Sequence, residues 1–165
     1  MQLAWGPEEE AFRAELVEFL DEHVPHEADA GFDYADSGER DDSDLIPAWS
    51  RAWQATLFDH GWMIPAYPPE LGGRNCTPVQ SLIYLETLAG RRLIRSGHFP
   101  GYAIVAPSLL EYGNDAQKQL VPASIRGDLI WCIGMSEPNA GSDLAGLQTR
   151  AEVYDDHFVV NGQKV

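Results

Sequence analysis

The sequence predicts a mainly α-helical protein, with an N-terminal helical domain over residues 1–128 and the incomplete start of an antiparallel β domain over residues 129–165. Three observations lead to this fold class. Apolar residues recur at helical spacing up to Gly127, an apolar run starts at Leu129, and short alternating segments separated by turn residues follow. A chain of 165 residues with 44% hydrophobic residues can bury a core of its own.

The first two predicted helices each carry an apolar stripe. Pro7 and three glutamates open the first helix, since proline suits a first turn and acidic groups complement the helix dipole. Eight acidic residues between Glu27 and Asp44 predict a solvated loop, and the second helix begins near Ser43 or Asp44. The two stripes comprise Phe12, Leu16, Phe19 and Leu20 in the first helix, and Ile46, Trp49, Trp53 and Leu57 in the second.

The third predicted helix begins with a capping box. Thr77-Pro78-Val79-Gln80 places a hydroxyl at the N-cap and an amide three residues later. The helix is expected to bury Leu82, Ile83, Leu85 and Leu88. Arg91, Arg92 and Arg95 then form a basic cluster, which either complements the C-terminal end of the helix or contacts an anion.

Two further helical segments complete the predicted helical domain. The first runs from Phe99 to Leu110, is bent by Pro107 and ends at Gly113. The second opens at Asn114, runs to about Arg126 and is interrupted by Pro122. Gly127 closes it.

The β part is predicted from Leu129 onward. The run from Leu129 to Met135 indicates a buried strand that stops at Pro138. A hairpin follows, with strands over 148–154 and 157–160 and a turn at Asp155-Asp156. Asn161-Gly162 indicates another hairpin turn, after which residues 163–165 begin a strand. A sheet that stops two residues into a strand has unpaired edges, so we expect the sequence to be a fragment.

Composition excludes several classes of function. A net charge of −15 argues against nucleic acid and anionic membranes as partners, and no uncharged run reaches the ~20 residues of a membrane span. The N-terminus lacks the basic start of an export signal, so we expect a cytoplasmic protein. Cys76 and Cys132 are expected to be packed free thiols. The five histidines lack ligand spacing, so no metal site is predicted and they are expected on the surface or in loops.

The loop after Met135 is the candidate binding segment. Gly134-Met135-Ser136-Glu137-Pro138 departs from a serine-hydrolase elbow, because proline replaces the last glycine and no helix follows. A glycine-rich dinucleotide motif between a strand and a helix is also missing from the sequence. Small residues, two hydroxyls and bare N–H groups instead favour an anionic or polar ligand.

The segment from Ser136 to Gly146 reads Ser-Glu-Pro-Asn-Ala-Gly-Ser-Asp-Leu-Ala-Gly, and Asn-Gly-Gln-Lys follows at 161–164. Together they resemble the flavin-binding signature of the acyl-CoA dehydrogenase family. That resemblance implies a helical domain, a middle β domain and a C-terminal helical bundle, with FAD between the last two. By the same resemblance, the cofactor-binding residues are Ile133, Met135, Ser136, Gly141 and Ser142, of which Ser142 also contacts the substrate.

The resemblance also implies a reaction. A glutamate takes the α-proton of an acyl-CoA, a β-hydride moves to FAD, and the product is the 2,3-enoyl-CoA. That base is expected beyond residue 165, so no catalytic residue is assigned here. An electron-accepting flavoprotein and a homo- or hetero-oligomeric assembly are the implied partners. Two alternatives remain open: a related flavoprotein without the base, and a non-enzymatic helical interaction module.

Overall fold

The computed structural model of the protein describes residues 5–26 and 48–165. Two compact units make up the chain, Met1–Trp131 and Cys132–Val165. The predicted acidic loop from Glu27 to Asp44, the predicted start of the second helix and Ile46 lie outside the described residues.

The first unit is helical, and its elements follow the predicted order. Short helical turns also lie at Pro69–Leu71 and, in π-helical form, at Gly101–Val105. No helix within the described ranges is long and apolar enough to cross a membrane. The α-helices are α1 (Pro7–His23), α2 (Ala48–Asp59), α3 (Pro78–Gly90), α4 (Ala106–Tyr112), α5 (Asp115–Lys118) and α6 (Val121–Arg126).

The core of the first unit is built from the predicted stripes. All four predicted residues of α1 are buried, and Trp53 and Leu57 of α2 are buried with them. Aromatic rings join the elements, since the Phe12 and Trp62 ring centroids lie 5.4 Å apart. Offset aromatic pairs add stabilisation beyond the area that they bury. The helical stripes therefore identified the core-facing sides of α1 and α2 correctly.

The capping box of α3 is confirmed, but its predicted buried face is partly wrong. The Thr77 hydroxyl accepts the Gln80 N–H at 3.2 Å, and the Gln80 amide accepts the Thr77 N–H at 2.9 Å. Leu82 and Leu85 are exposed, whereas Tyr84 is buried beside Ile83 and Leu88. Residues three apart share one face of a helix, so Leu82 and Leu85 lie together on the side that the core leaves uncovered.

The predicted bend before Gly113 takes the form of a π-helical turn. Gly101–Val105 is π-helical and leads directly into α4, where Pro107 lies in the first turn. Proline lacks an N–H and cannot continue the preceding ladder of hydrogen bonds, and such interruptions commonly accompany a kink. Gly113 ends α4, as predicted.

The second unit contains one antiparallel hairpin. Strand β1 (Arg150–Val153) pairs with β2 (Phe158–Asn161), with Arg150 opposite Asn161 and Val153 opposite Phe158. The predicted turn at Asp155-Asp156 is confirmed, and the Tyr154 N–H donates to the His157 carbonyl at 3.0 Å. The first strand is shorter than the predicted 148–154, whereas the second has its predicted length and is shifted by one residue from 157–160.

The predicted strands over 129–135 and 163–165 are not formed, and the described residues contain no hairpin at Asn161-Gly162. A strand needs a continuous ladder with a neighbour. Here the Val165 N–H donates to the Ser136 carbonyl at 3.0 Å, and this is the single backbone bond between residues 132–136 and 163–165. The predicted burial is also wrong, since Ile130 and Met135 are 52% and 63% exposed.

One sequence expectation about a reactive side chain is corrected. Cys132 is exposed rather than packed, because the hairpin unit is small and covers little of its own surface, while Cys76 is partly buried. His98 lies in a loop, as expected, but it is buried there. The burial of His98 depends on contacts distant in sequence, which local pattern does not reveal.

Candidate functional site

A tight turn follows the apolar run and shapes the start of the candidate loop. The Glu137 N–H donates to the Ala140 carbonyl at 2.8 Å, and the Ala140 N–H donates back to the Glu137 carbonyl at 3.1 Å. Pro138 occupies the second position of this four-residue turn, where its fixed φ is favourable. Downstream, a short 3-10 turn at Leu144–Gly146 completes the loop. The sequence therefore folds the loop locally at both ends.

The Glu137 side chain closes the loop. Its Oε2 accepts the Gln148 N–H at 2.7 Å, and its Oε1 accepts the Thr149 N–H at 2.9 Å. The side chain is only 8% exposed. A buried carboxylate needs such donors, and two backbone N–H groups satisfy both of its oxygens. The carboxylate thus ties the beginning of the loop to its end.

Lys164 reaches the same carboxylate from the far end of the unit. Its Nζ lies 3.1 Å from Glu137 Oε1 and donates to the Met135 carbonyl at 3.0 Å. The pKa of Glu137 falls to about 2, chiefly because the Gln148 N–H donates to it, with further donation from Thr149 and Lys164 against the opposing effect of burial. Glu137 is therefore ionised at neutral pH.

Glu137 and Lys164 belong to the motif, but sequence reasoning gave neither residue a role. Their contacts span 11 to 29 positions of the chain. A signal was present in the sequence for Glu137 only, since it is a charged residue among small and apolar neighbours. Charged residues in such surroundings are commonly paired.

The structure locates the five predicted cofactor residues as follows. Ile133 and Ser136 are half-buried, while Met135, Gly141 and Ser142 are exposed. Met135 and Ser136 are held by Lys164 and Val165 through their carbonyl oxygens. No hydrogen bond among the described residues joins Gly141 or Ser142 to the other three, so the structure brings together only the first part of the predicted site.

Gly141 is more open than expected. A Cβ added there would meet no atom within 4 Å, and its φ is not positive. Neither the backbone conformation nor a neighbouring chain atom therefore requires glycine at this position. The space beside it is free of chain atoms, so any steric demand at this glycine would have to come from a bound molecule.

The residues present fit a flat ligand with a polar edge. Across the part of the chain that the structure describes, no partner pairs with the Ser136 hydroxyl or with the N–H groups of Gly141 and Ser142. Ile133 and Met135 supply apolar surface nearby in sequence. Unpaired donors and apolar side chains within one short segment are the types of group that would contact the polar edge and the apolar faces of a flavin ring.

An open cleft of about 860 Å³ lies on another part of the second unit. The five predicted cofactor residues do not line it. The cleft therefore does not coincide with the predicted flavin-binding residues. Its walls come from residues 137–139, 146–150 and 161–163.

The basic cluster after α3 is engaged within the helical unit. Arg91 forms an ion pair with Asp21 at 2.6 Å, and the Arg95 guanidinium lies 5.1 Å from the centre of the Tyr102 ring. These contacts favour a structural role at the end of α3 over an anion contact. Elsewhere in the described ranges, no group of three His, Cys, Asp or Glu side chains is placed to hold a metal ion.

Known proteins resemble this chain over about two thirds of its length or more. The curated acyl-CoA dehydrogenase FadE34 of Mycobacterium tuberculosis is 39% identical over 113 residues, which are 68% of this chain and 16% of that protein. Benzylmalonyl-CoA dehydrogenase of Aromatoleum aromaticum is 30% identical over 159 residues, covering 95% of this chain and 39% of the relative. The solved ChsE4-ChsE5 complex of Mycobacterium tuberculosis superposes with a TM-score of 0.71 at 32% identity, over 99% of this chain and 40% of the other.

The family assignment covers most of the helical unit. The chain spans less than half the length of each of these three proteins. A family model described as acyl-CoA dehydrogenase, N-terminal domain, matches residues 6–128. Since this match covers well over half of the residues, the chain belongs to the acyl-CoA dehydrogenase family.

Proposed function

We propose that the protein containing this chain is an FAD-dependent acyl-CoA dehydrogenase, which oxidises an acyl-CoA to the 2,3-enoyl-CoA by α-proton abstraction and β-hydride transfer. One observation carries the proposal. In a chain of this family, the Ser136 hydroxyl and the N–H groups of Gly141 and Ser142 have no partner among the described residues, close in sequence to apolar Ile133 and Met135. These are the groups that the family signature assigns to the cofactor.

The five residues would have different roles in binding. Ile133, Met135 and Ser136 would line the flavin, and Gly141 and Ser142 would hold the cofactor, with Ser142 also contacting the acyl-CoA. FAD, when bound, supplies the two-electron acceptor. A hydroxyl at Ser136 would stabilise the charge that develops at its side of the site, because a fixed donor is favourable where negative charge accumulates.

The remaining parts of the proposal concern the whole protein. We place the helical domain at residues 1–128 and the start of the β domain at 129–165. The catalytic glutamate would lie outside residues 1–165 of the same protein, since relatives extend well beyond the length matched here. The solved relative from Mycobacterium tuberculosis is a complex of ChsE4 and ChsE5, which supports a homo- or hetero-oligomer. An electron-accepting flavoprotein and a cytoplasmic location complete the proposal.

The test is made on the complete protein. We expect it to purify yellow with bound FAD and to reduce an artificial electron acceptor when given an acyl-CoA from a panel of chain lengths and ring-bearing acyl groups. Residues 1–165 alone should bind FAD weakly or not at all. Colourless protein that takes up no added FAD would contradict the proposal and favour an interaction module. Bound FAD without turnover of any acyl-CoA would favour a flavoprotein that lacks the base.

A further inference from the structure

Residues 164 and 165 hold three consecutive residues around Ser136. Lys164 Nζ donates to the Met135 carbonyl at 3.0 Å and lies 3.1 Å from Glu137 Oε1. Between these two contacts, the Val165 N–H donates to the Ser136 carbonyl at 3.0 Å. The backbone of Ser136 is therefore fixed on both sides and at its own carbonyl, while its hydroxyl remains free of partners within the described residues.

The same carboxylate fixes the far end of the loop. Glu137 accepts the N–H groups of Gln148 and Thr149, so one side chain joins the residue after Ser136 to the residues that lead into β1. The loop over 138–147, which contains Gly141 and Ser142, is thereby closed at its base. A group that must present donors to a ligand gains when neighbouring contacts fix its geometry beforehand.

We propose that Glu137 and Lys164 are positioning residues, which hold the Ser136 hydroxyl and the loop over 138–147 in the arrangement that binds the flavin. This proposal rests on the proposed function. The ion pair acts through Ser136 and the loop, so neither residue is a catalytic residue. Lys164 also supplies a positive charge in a unit whose acidic residues outnumber its basic ones.

The chemistry of the pair suggests the variants. Glu137→Gln keeps the shape of the side chain but replaces one acceptor oxygen by an NH₂ group, which opposes a backbone N–H donor. Lys164→Met removes the ammonium group but leaves both backbone bonds to Glu137 in place. Glu152→Gln is the matched control, because it makes the same change at an exposed position of β1. The double variant of Glu137 and Lys164 tests whether the pair acts as a unit.

The experiment uses the complete protein and two readouts that do not depend on turnover. Amide hydrogen exchange of Gln148 and Thr149 reports whether the loop is closed, and titration of apoprotein with FAD gives its dissociation constant. We expect Glu137→Gln to speed exchange at both amides about tenfold or more. It should also weaken FAD binding about tenfold. Glu152→Gln should match the wild type in both.

Rapid kinetics separate positioning from simple stability. In FAD-loaded Glu137→Gln, the rate of flavin reduction should fall about tenfold to a hundredfold with little change in KM, since small misplacements at a reacting group are costly. Lys164→Met should also lower the rate of flavin reduction. The double variant should show a smaller loss of rate than the two single variants predict together. A purely structural role would lower the melting temperature while loaded molecules react at the wild-type rate.

The outcomes are distinct. Unchanged exchange at Gln148 and Thr149, or faster exchange with wild-type FAD affinity and reduction rate, overturns the positioning role. If Glu137→Gln does not fold, a wild-type rate and affinity in Lys164→Met overturns it equally. Wild-type protein that binds no FAD refutes the proposed function itself and removes the flavin from the inference, whatever the exchange data show.

Discussion

The backbone N–H of Trp131 donates to Nε2 of His98 at 2.8 Å, and His98 is only 6% exposed. Because Nε2 accepts a hydrogen bond, the neutral ring carries its proton on Nδ1. A second bond fixes the same tryptophan, since its indole N–H donates to the Ser124 hydroxyl at 2.8 Å. The end of the helical unit is therefore anchored by a neutral, buried imidazole.

We expect stability to decline in mild acid through His98. Burial lowers the pKa of His98 below its ordinary value of 6.5. The unfolded chain then takes up the proton first, so the contribution of His98 is complete above about pH 6.5 and is lost as pH falls through the lower folded value. Below that pH, the melting temperature of the wild type should fall more steeply than the melting temperature of His98→Gln. Parallel curves for the two proteins would contradict this.

The Glu137 carboxyl should stay ionised far into acid. Backbone donation from Gln148 lowers its pKa from 4.5 to about 2. Its stabilising contribution is present above pH 4.5 and is lost as pH falls through about 2. The carbon-13 shift of the Glu137 carboxyl should remain flat from neutral pH down to about pH 3. A midpoint near the ordinary glutamate value would show that the two backbone bonds are not formed in solution.

Substitution of Gly127 should destabilise the helical unit. Its φ is +90°, and an added Cβ would lie 2.9 Å from Cδ of Gln54. Gln54 is buried and donates to the Ile125 carbonyl at 2.8 Å. Gly127→Ala should cost about 1–3 kcal/mol in denaturant unfolding. Gly90→Ala is the control, because nothing lies within 4 Å of its added Cβ, and it should be neutral or slightly stabilising.

The Gly141→Ala variant tests whether a bound ligand lies against this glycine. Because an added Cβ meets no chain atom within 4 Å, Gly141→Ala should leave thermal stability almost unchanged. We expect it nevertheless to weaken FAD or acyl-CoA binding in the complete protein. Gly162→Ala is the contrasting variant, since its added Cβ would lie 2.7 Å from Cα of Thr149 and should disturb the backbone there. Normal ligand affinity in Gly141→Ala would remove this glycine from the binding site.

Ser136→Ala should affect chemistry more than binding. The hydroxyl is free of partners within the described ranges, so its removal leaves no buried group unpaired. If it acts on charge that develops during hydride transfer, Ser136→Ala raises the activation free energy of flavin reduction by about 1–3 kcal/mol. The KM for the acyl-CoA then changes little. Stopped-flow reduction with the complete protein measures this. Unchanged reduction would give Ser136 a structural role only.

Local patterns in the sequence predicted the helical unit well. The predicted capping box at Thr77 depends on residues three positions apart and is present, and the predicted helix start at Asn114 also forms a capping box. The stripe of α1 also follows from spacing alone. The buried face of α3 does not follow from spacing, because Leu82 and Leu85 are as apolar as their buried neighbours. Only the packing of other elements decides which face is covered.

Long-range relationships in the candidate site could not be predicted. The expected strand from Leu129 to Met135 depends on a partner, and sequence periodicity does not specify which segment pairs with it. The motif suggested which residues belong to the binding loop. It did not suggest that Lys164 would hold Met135 across 29 positions, because such a contact leaves no local trace.

The exposed hairpin has a consequence for the order of events during synthesis. Val153 and Phe158 are 73% and 67% exposed, and a two-stranded hairpin by itself is marginally stable in water. The helical unit has its own buried core and precedes the hairpin on the growing chain. It can therefore complete its folding near the ribosome first, whereas the hairpin presents apolar side chains and strand edges for longer and stays accessible to chaperones during that time.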